Sequence, residues 1–311
     1  MRKIVVFGAS GVQGRMQVHE LMKQGFALRA VTRTGGAYGD PRYAGIEVVA
    51  ADYDDPASLD RALAGADAVL GQPFSMGDED MLVRQMNALA DALVRAKVPM
   101  FVFNTSMWAP RNPCGVRGYD VILEMEQLFE ARNLPVIFFE PTLFMNNLQG
   151  SWIRDQIAQE GLFRYCHKPE MEADWICLED VARYMVAALD RPDLIGRKIR
   201  IGGPDRLKAK DVIAILSEAV GRPVVHEYIT PRDFAQGLWD LYKDMDAYEA
   251  NGGNLPRGKT EEQYVGDIDS FYSFCNDSPL RPFLIDQAEL ELTISVPRTS
   301  MREWALAQDW Y

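Results

Sequence analysis

Histidine and cysteine are scarce in this chain of 311 residues, and positive charge is outweighed by negative. The three histidines include no pair at helical spacing, and Cys114, Cys166, Cys177 and Cys275 form no C-x-x-C unit. A structural zinc site and a disulfide framework are therefore not expected, and no metal ligands are assigned. The 33 Lys and Arg stand against 45 Asp and Glu, a net charge of -12, so nucleic acid and anionic membrane surfaces would meet a field of their own sign. Neither is expected as a partner. No stretch approaches the roughly 20 consecutive apolar residues that a spanning helix needs. The apolar run at residues 4–7 is too short for a signal peptide. These absences point to a reducing, cytoplasmic setting. An apolar fraction of 48% supplies ample core and excludes a wholly disordered chain.

What is present is an alternation of short β-branched runs and helical patterns. Residues 3–7 (KIVVF) form an apolar run of the kind buried on both faces of a parallel sheet, and it stops at Gly8. Further strands are predicted at 28–32, 47–50, 68–70, 100–104 and 136–140, with helices at 15–24, 56–63, 80–95 and 120–131. Repeated βα units predict an α/β fold, a Rossmann-type doubly wound parallel sheet over residues 1–150. A return of the chain to that sheet is expected at 172–205. Residues 151–311 are then a smaller mixed α/β substrate or cap domain. Within it, residues 228–283 are rich in aromatics, including Phe234, Trp239, Tyr264, Phe271, Tyr272 and Phe274, and read as loop around Gly252-Gly253. They suit either a small packed core or a mobile cap over an apolar ligand.

Gly8-Ala-Ser-Gly11-Val-Gln-Gly14 lies between the first strand and the first helix, the context in which glycines allow a tight turn and the helix start holds a pyrophosphate. About 20 residues further on, the end of the second strand should meet the adenosine ribose. Arg33 stands there instead of an acid, and a guanidinium fork matches a 2′-phosphate, so NADP(H) is the expected cofactor. Arg15, just beyond Gly14, is a candidate second cation.

These features, with Ala51-Asp52-Tyr53-Asp54, Pro141-Thr-Leu-Phe144-Met-Asn-Asn147 and Glu179-Asp180-Val181-Ala182, resemble the NmrA-like family of atypical short-chain dehydrogenase/reductases over residues 1 to about 228. The resemblance implies that Gly8, Ser10, Gly11, Val12, Gln13 and Gly14 border the pyrophosphate and that Arg33 holds the 2′-phosphate. It places Asp52 and Tyr53 beside the adenine, and Gln72, Pro73 and Phe74 along the ribose and diphosphate. Asn104 and Thr105 close the fifth strand, while Pro141, Thr142, Leu143 and Phe144 approach the nicotinamide.

Relatives of this fold commonly carry Tyr-x-x-x-Lys on the helix after the fifth strand, or keep the lysine alone. Aligned on Glu126, this chain has Gly118 and Ile122 at those positions. Candidate catalytic groups are then Tyr119 as a shifted proton donor, Ser106 as a hydroxyl that orients the substrate, and His167 as an acid near neutral pH. Arg111 and Arg117 are candidates to replace the missing cation, and Cys114 reads as a bystander thiol. The expected function is NADPH-dependent reduction of a small, largely apolar or aromatic carbonyl, enone or quinone. The small-molecule substrate is the expected partner, and a homodimer is compatible with this reading. The alternative is a noncatalytic NADP(H) sensor; an epimerase is disfavoured because that chemistry depends on the missing pair.

Overall fold

The computed structural model describes residues 2–35, 45–73, 78–243 and 259–311. Six strands open the chain: β1 (Lys3–Val6), β2 (Ala27–Thr32), β3 (Glu47–Ala50), β4 (Ala68–Gly71), β5 (Phe101–Asn104) and β6 (Val136–Pro141). Two short strands, β7 (Leu162–Tyr165) and β8 (Ala173–Asp174), stand apart, and β9 (Lys198–Ile201) returns to the main sheet. The resulting seven-stranded sheet has the order β3-β2-β1-β4-β5-β6-β9, and all its pairings are parallel. The chain winds one way from β1 to β3 and then the other way from β4. A crevice for ligands therefore opens at the carboxyl ends of β1 and β4, as in open doubly wound sheets generally.

Alternate residues explain the two covered faces. Ile4, Val6, Val102, Ile137 and Phe139 pack under α1 (Val12–Lys23) and, later in the chain, α5 (Leu178–Ala187). Val5, Phe7, Phe101, Phe103 and Phe138 pack under α2 (Pro56–Leu63), α3 (Glu79–Ala96) and α4 (Arg117–Glu130). Full burial of such side chains contributes about 1.5–3 kcal/mol each. Helix starts follow local chemistry. Asp55 caps α2 by accepting from the Ala57 amide, with Pro56 at the first helical position, and Asp78 caps α3 through the Met81 amide.

The second half adds β10 (Arg206–Leu207), α6 (Ala209–Val220), β11 (Val225–Tyr228), α7 (Pro231–Tyr242), α8 (Glu261–Asp277), α9 (Gln287–Thr293) and α10 (Met301–Leu306). Its small sheets pair β11 with β7 and β10 with β8. The described rings of the aromatic segment form packed structure: α7 lies on α8, and α8 rests on α4. Phe234 meets Tyr272 at 5.2 Å, and Trp239 meets Tyr264 at 5.6 Å. Gly252-Gly253 lies outside the described residues. Residues 285, 290 and 294 return to pack on the α1/α5 face, so the two halves share side chains there.

Candidate functional site

The β1–α1 corner is shaped by three glycines with different tasks. Gly8 has φ +62°, and its carbonyl accepts from the Gly11 amide at 2.9 Å, which closes the turn. Gly11 caps α1 without a side chain and is exposed, so the first amides of the helix open onto the crevice. Gly14 faces inward, where a Cβ would lie 2.2 Å from the Gly8 carbonyl oxygen. The helix therefore sits on the strand end without an intervening side chain. Ser10 and Gln13 are partly exposed, and Val12 is exposed at 67%.

Arg33 is exposed at the end of β2, and among the described residues it has no ion pair. Arg15 is also exposed. Asp52 follows β3 with an exposed carboxylate, and its amide is held by the Ser58 hydroxyl at 2.9 Å. The Tyr53 ring leans on Phe7 at 6.1 Å. A phosphate-accepting helix start and an accessible guanidinium at the neighbouring strand end together fit a phosphorylated dinucleotide.

Several expected ligand contacts belong to the protein instead. Gln72 is a correction: its buried amide donates to the Phe7 carbonyl at 2.9 Å and accepts from Gln17 at 2.7 Å, leaving only its backbone to border a ligand. Thr105 is likewise buried, its hydroxyl 2.8 Å from the Phe139 carbonyl and 2.6 Å from that of Met107. Thr142 donates its hydroxyl to the Asp174 carbonyl. Leu143 and Met145 exchange backbone hydrogen bonds with Ile176, which holds residues 141–144 beside the sheet end with Phe144 partly exposed. Pro73 is buried, and Phe74 lies outside the described residues.

At the end of β5, Asn104, Ser106 and Gln13 form one network. The Ser106 amide donates to Asn104 Oδ1 at 2.9 Å, Asn104 Nδ2 donates to Gln13 Oε1 at 2.6 Å, and Gln13 Nε2 donates to Ser106 Oγ at 3.0 Å. Ser106 itself has φ +65°, a conformation rare for residues other than glycine and concentrated at functional sites.

The other two catalytic candidates are corrected. Tyr119 is fully buried, stacked on Phe271 at 4.6 Å, and its hydroxyl meets Cys275 Sγ at 2.9 Å. Burial pushes its phenol well above the usual value, the opposite of what a proton donor requires. His167 is buried among Tyr165, Tyr272 and Phe283, and burial with help from His226 lowers its pKa to about 3. It is neutral at physiological pH and cannot serve as an acid there. The two positions that the resemblance gives to the usual tyrosine and lysine lie in packed surroundings. Phe271 stands 3.3 Å from where a Cβ on Gly118 would be, and Ile122 lies within the apolar core.

Nor do the loop arginines offer an open cation. Arg117 pairs with Glu124 at 2.6 Å. Arg111 reaches over the end of β6 to the fully buried Glu140, bonding it with both terminal nitrogens, Nη2 at 3.3 Å from Oε2. Glu140 thus has a structural partner that sequence spacing did not reveal. Arg200 on β9 was also missed: it lies over the Trp108 ring at 5.6 Å and donates to the Arg281 and Pro282 carbonyls. Cys114 is partly exposed and, like the other three cysteines, is not in a disulfide. Among the described residues no cluster of His, Cys, Asp or Glu suits a metal ion, and no helix is long and apolar enough to cross a membrane.

Sheet order, switch-point crevice and glycine corner define a doubly wound α/β protein of the dinucleotide-binding type. Within that class the chain belongs to the NmrA-like family, whose model matches residues 1–286. It is 29% identical over 236 residues to an NAD(P)H azoreductase of Xenophilus azovorans, covering 76% of this chain and 80% of that protein. It is 34% identical over 233 residues to the (4-alkanoyl-5-oxo-2,5-dihydrofuran-3-yl)methyl phosphate reductase of Streptomyces griseus, covering 72% and 76%. Among solved structures, the NADPH complex of an NADPH-dependent quinone oxidoreductase from Escherichia coli superposes with a TM-score of 0.76. It is 20% identical and covers 97% of this chain and 98% of that one.

Proposed function

We propose that this protein is an NADPH-dependent reductase of small, largely apolar or aromatic carbonyl, enone or quinone compounds. The carrying observation is the pairing of an open helix start at the glycine corner with the exposed Arg33 at the end of β2. The reductase relatives, one an NAD(P)H enzyme, and the NADPH complex of a fold neighbour support that reading.

In this assignment the backbone of residues 8–14 binds the pyrophosphate, Arg33 the 2′-phosphate, and Asp52 and Tyr53 the adenosine end. The backbones of Gln72, Pro73, Asn104 and Thr105 border the middle of the cofactor, and residues 141–144 its nicotinamide end. When bound, the reduced nicotinamide supplies a hydride, that is two electrons, to the acceptor. Ser106 holds the acceptor oxygen by a hydrogen bond. The balancing proton comes from water, because Tyr119 and His167 are sealed in the core. Phe271 and Phe274, partly exposed beside the buried Trp108, provide apolar surface suited to a flat apolar acceptor.

The test is loss of reduced-nicotinamide absorbance with aromatic ketones, enones and quinones as acceptors. Native protein should turn over at least one class. Arg33→Asp should raise the KM for NADPH about 10- to 100-fold, the value of a charge-assisted phosphate contact, and shift preference toward NADH. The burial of Tyr119 and the apolar setting of Ile122 favour the second reading, a noncatalytic sensor. Tight NADPH binding without turnover of any acceptor, together with a partner retained with only one redox form of the cofactor, would support that alternative.

A further inference from the structure

Gln13 links two parts of the crevice that the sheet keeps separate. It lies in the first turn of α1, above the end of β1, yet its side chain reaches Asn104 and Ser106 at the end of β5, with β4 lying between the two strands. The direction of every hydrogen bond in this network follows from one backbone group. The Ser106 amide can only donate, so the Asn104 atom facing it is Oδ1, and Asn104 must turn Nδ2 toward Gln13. Gln13 then presents Oε1 to Asn104 and Nε2 to Ser106. The Ser106 oxygen is thereby used as an acceptor. Its own proton has only Gln13 Oε1 within the network, at 3.4 Å, too long to compete with a good acceptor outside it.

We infer that Gln13 is a positioning residue that holds the Ser106 hydroxyl with its proton directed into the crevice, making Ser106 a neutral hydrogen-bond donor to the acceptor oxygen. This rests on the reductase reading above and adds the device that sets the donor's polarity. No proton is transferred from Ser106; the hydroxyl stabilises charge on oxygen as it develops, and water supplies the proton. The left-handed backbone at Ser106, tied by its amide to Asn104, fixes the direction in which the hydroxyl starts. The backbone of Gln13 remains part of the glycine turn, so one residue serves the phosphate corner with its main chain and the reacting end with its side chain.

The experiment compares Gln13→Leu, Gln13→Glu, Ser106→Ala and the Gln13→Leu/Ser106→Ala double variant, with NADPH and a naphthoquinone as probe acceptor. NADP+ affinity is measured by calorimetry alongside. Ser106→Ala should lower kcat about 10²-fold, the usual effect of removing such a donor. Gln13→Leu should lower kcat about tenfold or more, with KM for the quinone and Kd for NADP+ within about threefold of native. Gln13→Glu retains the shape but replaces the N–H donor with an acceptor, which draws the Ser106 proton inward, so it should lose at least as much as Gln13→Leu. The double variant should be no slower than Ser106→Ala, because Gln13 acts through that hydroxyl. If native protein turns over quinone and Gln13→Leu keeps kcat within about threefold, the inference is overturned and the reductase reading stands. Additive losses, or a loss residing in NADP+ affinity, overturn it equally. Absence of turnover by native protein with every acceptor overturns the reductase reading and the inference together.

Discussion

Replacing the glycines of the β1–α1 corner one at a time should separate folding from binding, because each would meet a different obstacle. A Cβ at Gly14 would stand 2.2 Å from the Gly8 carbonyl oxygen, 2.7 Å from its carbon and 2.8 Å from Ala9 Cα. Favourable carbon contacts begin at about 3.5 Å, so the start of α1 must back away from β1 by roughly 1 Å. Overpacking of this kind costs about 1–3 kcal/mol, toward the upper end here because all three neighbours are backbone and cannot rotate aside. Alanine's better helix propensity returns about 1 kcal/mol, leaving Gly14→Ala destabilised by about 2 kcal/mol. Gly8→Ala faces backbone strain at φ +62°, about 1–2 kcal/mol. Gly11→Ala meets only the Gly8 oxygen at 3.3 Å with φ -74°, a tight contact at a helix cap, so it should cost about 1 kcal/mol or less, below Gly14→Ala. Its new methyl, however, covers exposed backbone at the helix start, and NADPH binding should weaken about tenfold or more. Urea unfolding and calorimetric titration on the same preparations supply both measurements. A Gly14→Ala protein as stable as native, or a Gly11→Ala protein that binds NADPH normally, would refute this account of the corner.

Three further outcomes follow from groups the site does not use. Glu126 is fully buried, and burial together with Glu140 raises its pKa to about 7 despite Lys198 Nζ 2.8 Å away. The unfolded chain releases this proton near 4.5, so the folded state holds more protons between 4.5 and about 7, and stability should fall as pH rises through that window. Glu126→Gln should flatten that slope in urea titrations run across it. His167 behaves inversely. The unfolded chain takes up its proton near 6.5 and the folded chain only near 3, so stability falls as pH drops between them, and His167→Gln should reduce that acid sensitivity with kcat at neutral pH within about threefold of native. Tyr119→Phe loses only the contact to Cys275 and should cost about 1 kcal/mol in chemical denaturation. A hundredfold fall in its kcat would instead return Tyr119 to the role of proton donor.

The fold was readable because its signals are local. Short β-branched runs, most of them followed by a helical pattern, point to a parallel sheet. The spacing of Gly8, Gly11 and Gly14 marks where strand meets helix. The boundaries moved modestly: α1 starts at Val12 rather than residue 15, and α4 at Arg117 rather than 120, because helix starts depend on turn geometry more than on periodicity.

The position of Arg33 at the end of β2 was likewise a consequence of counting along the chain. The fates of Tyr119 and His167 were not, since each is decided by residues about a hundred or more positions away: Phe271 and Cys275 cover Tyr119, and Tyr272 and Phe283 enclose His167. Arg111 with Glu140, Gln17 with Gln72, and Gln13 with Ser106 are likewise brought together by the fold, across 29, 55 and 93 positions. Spacing along one strand or helix is set by bond geometry and can be read from residue order. Whether a side chain faces water, a ligand or another side chain depends on which distant segment packs over it, and only tertiary structure decides that.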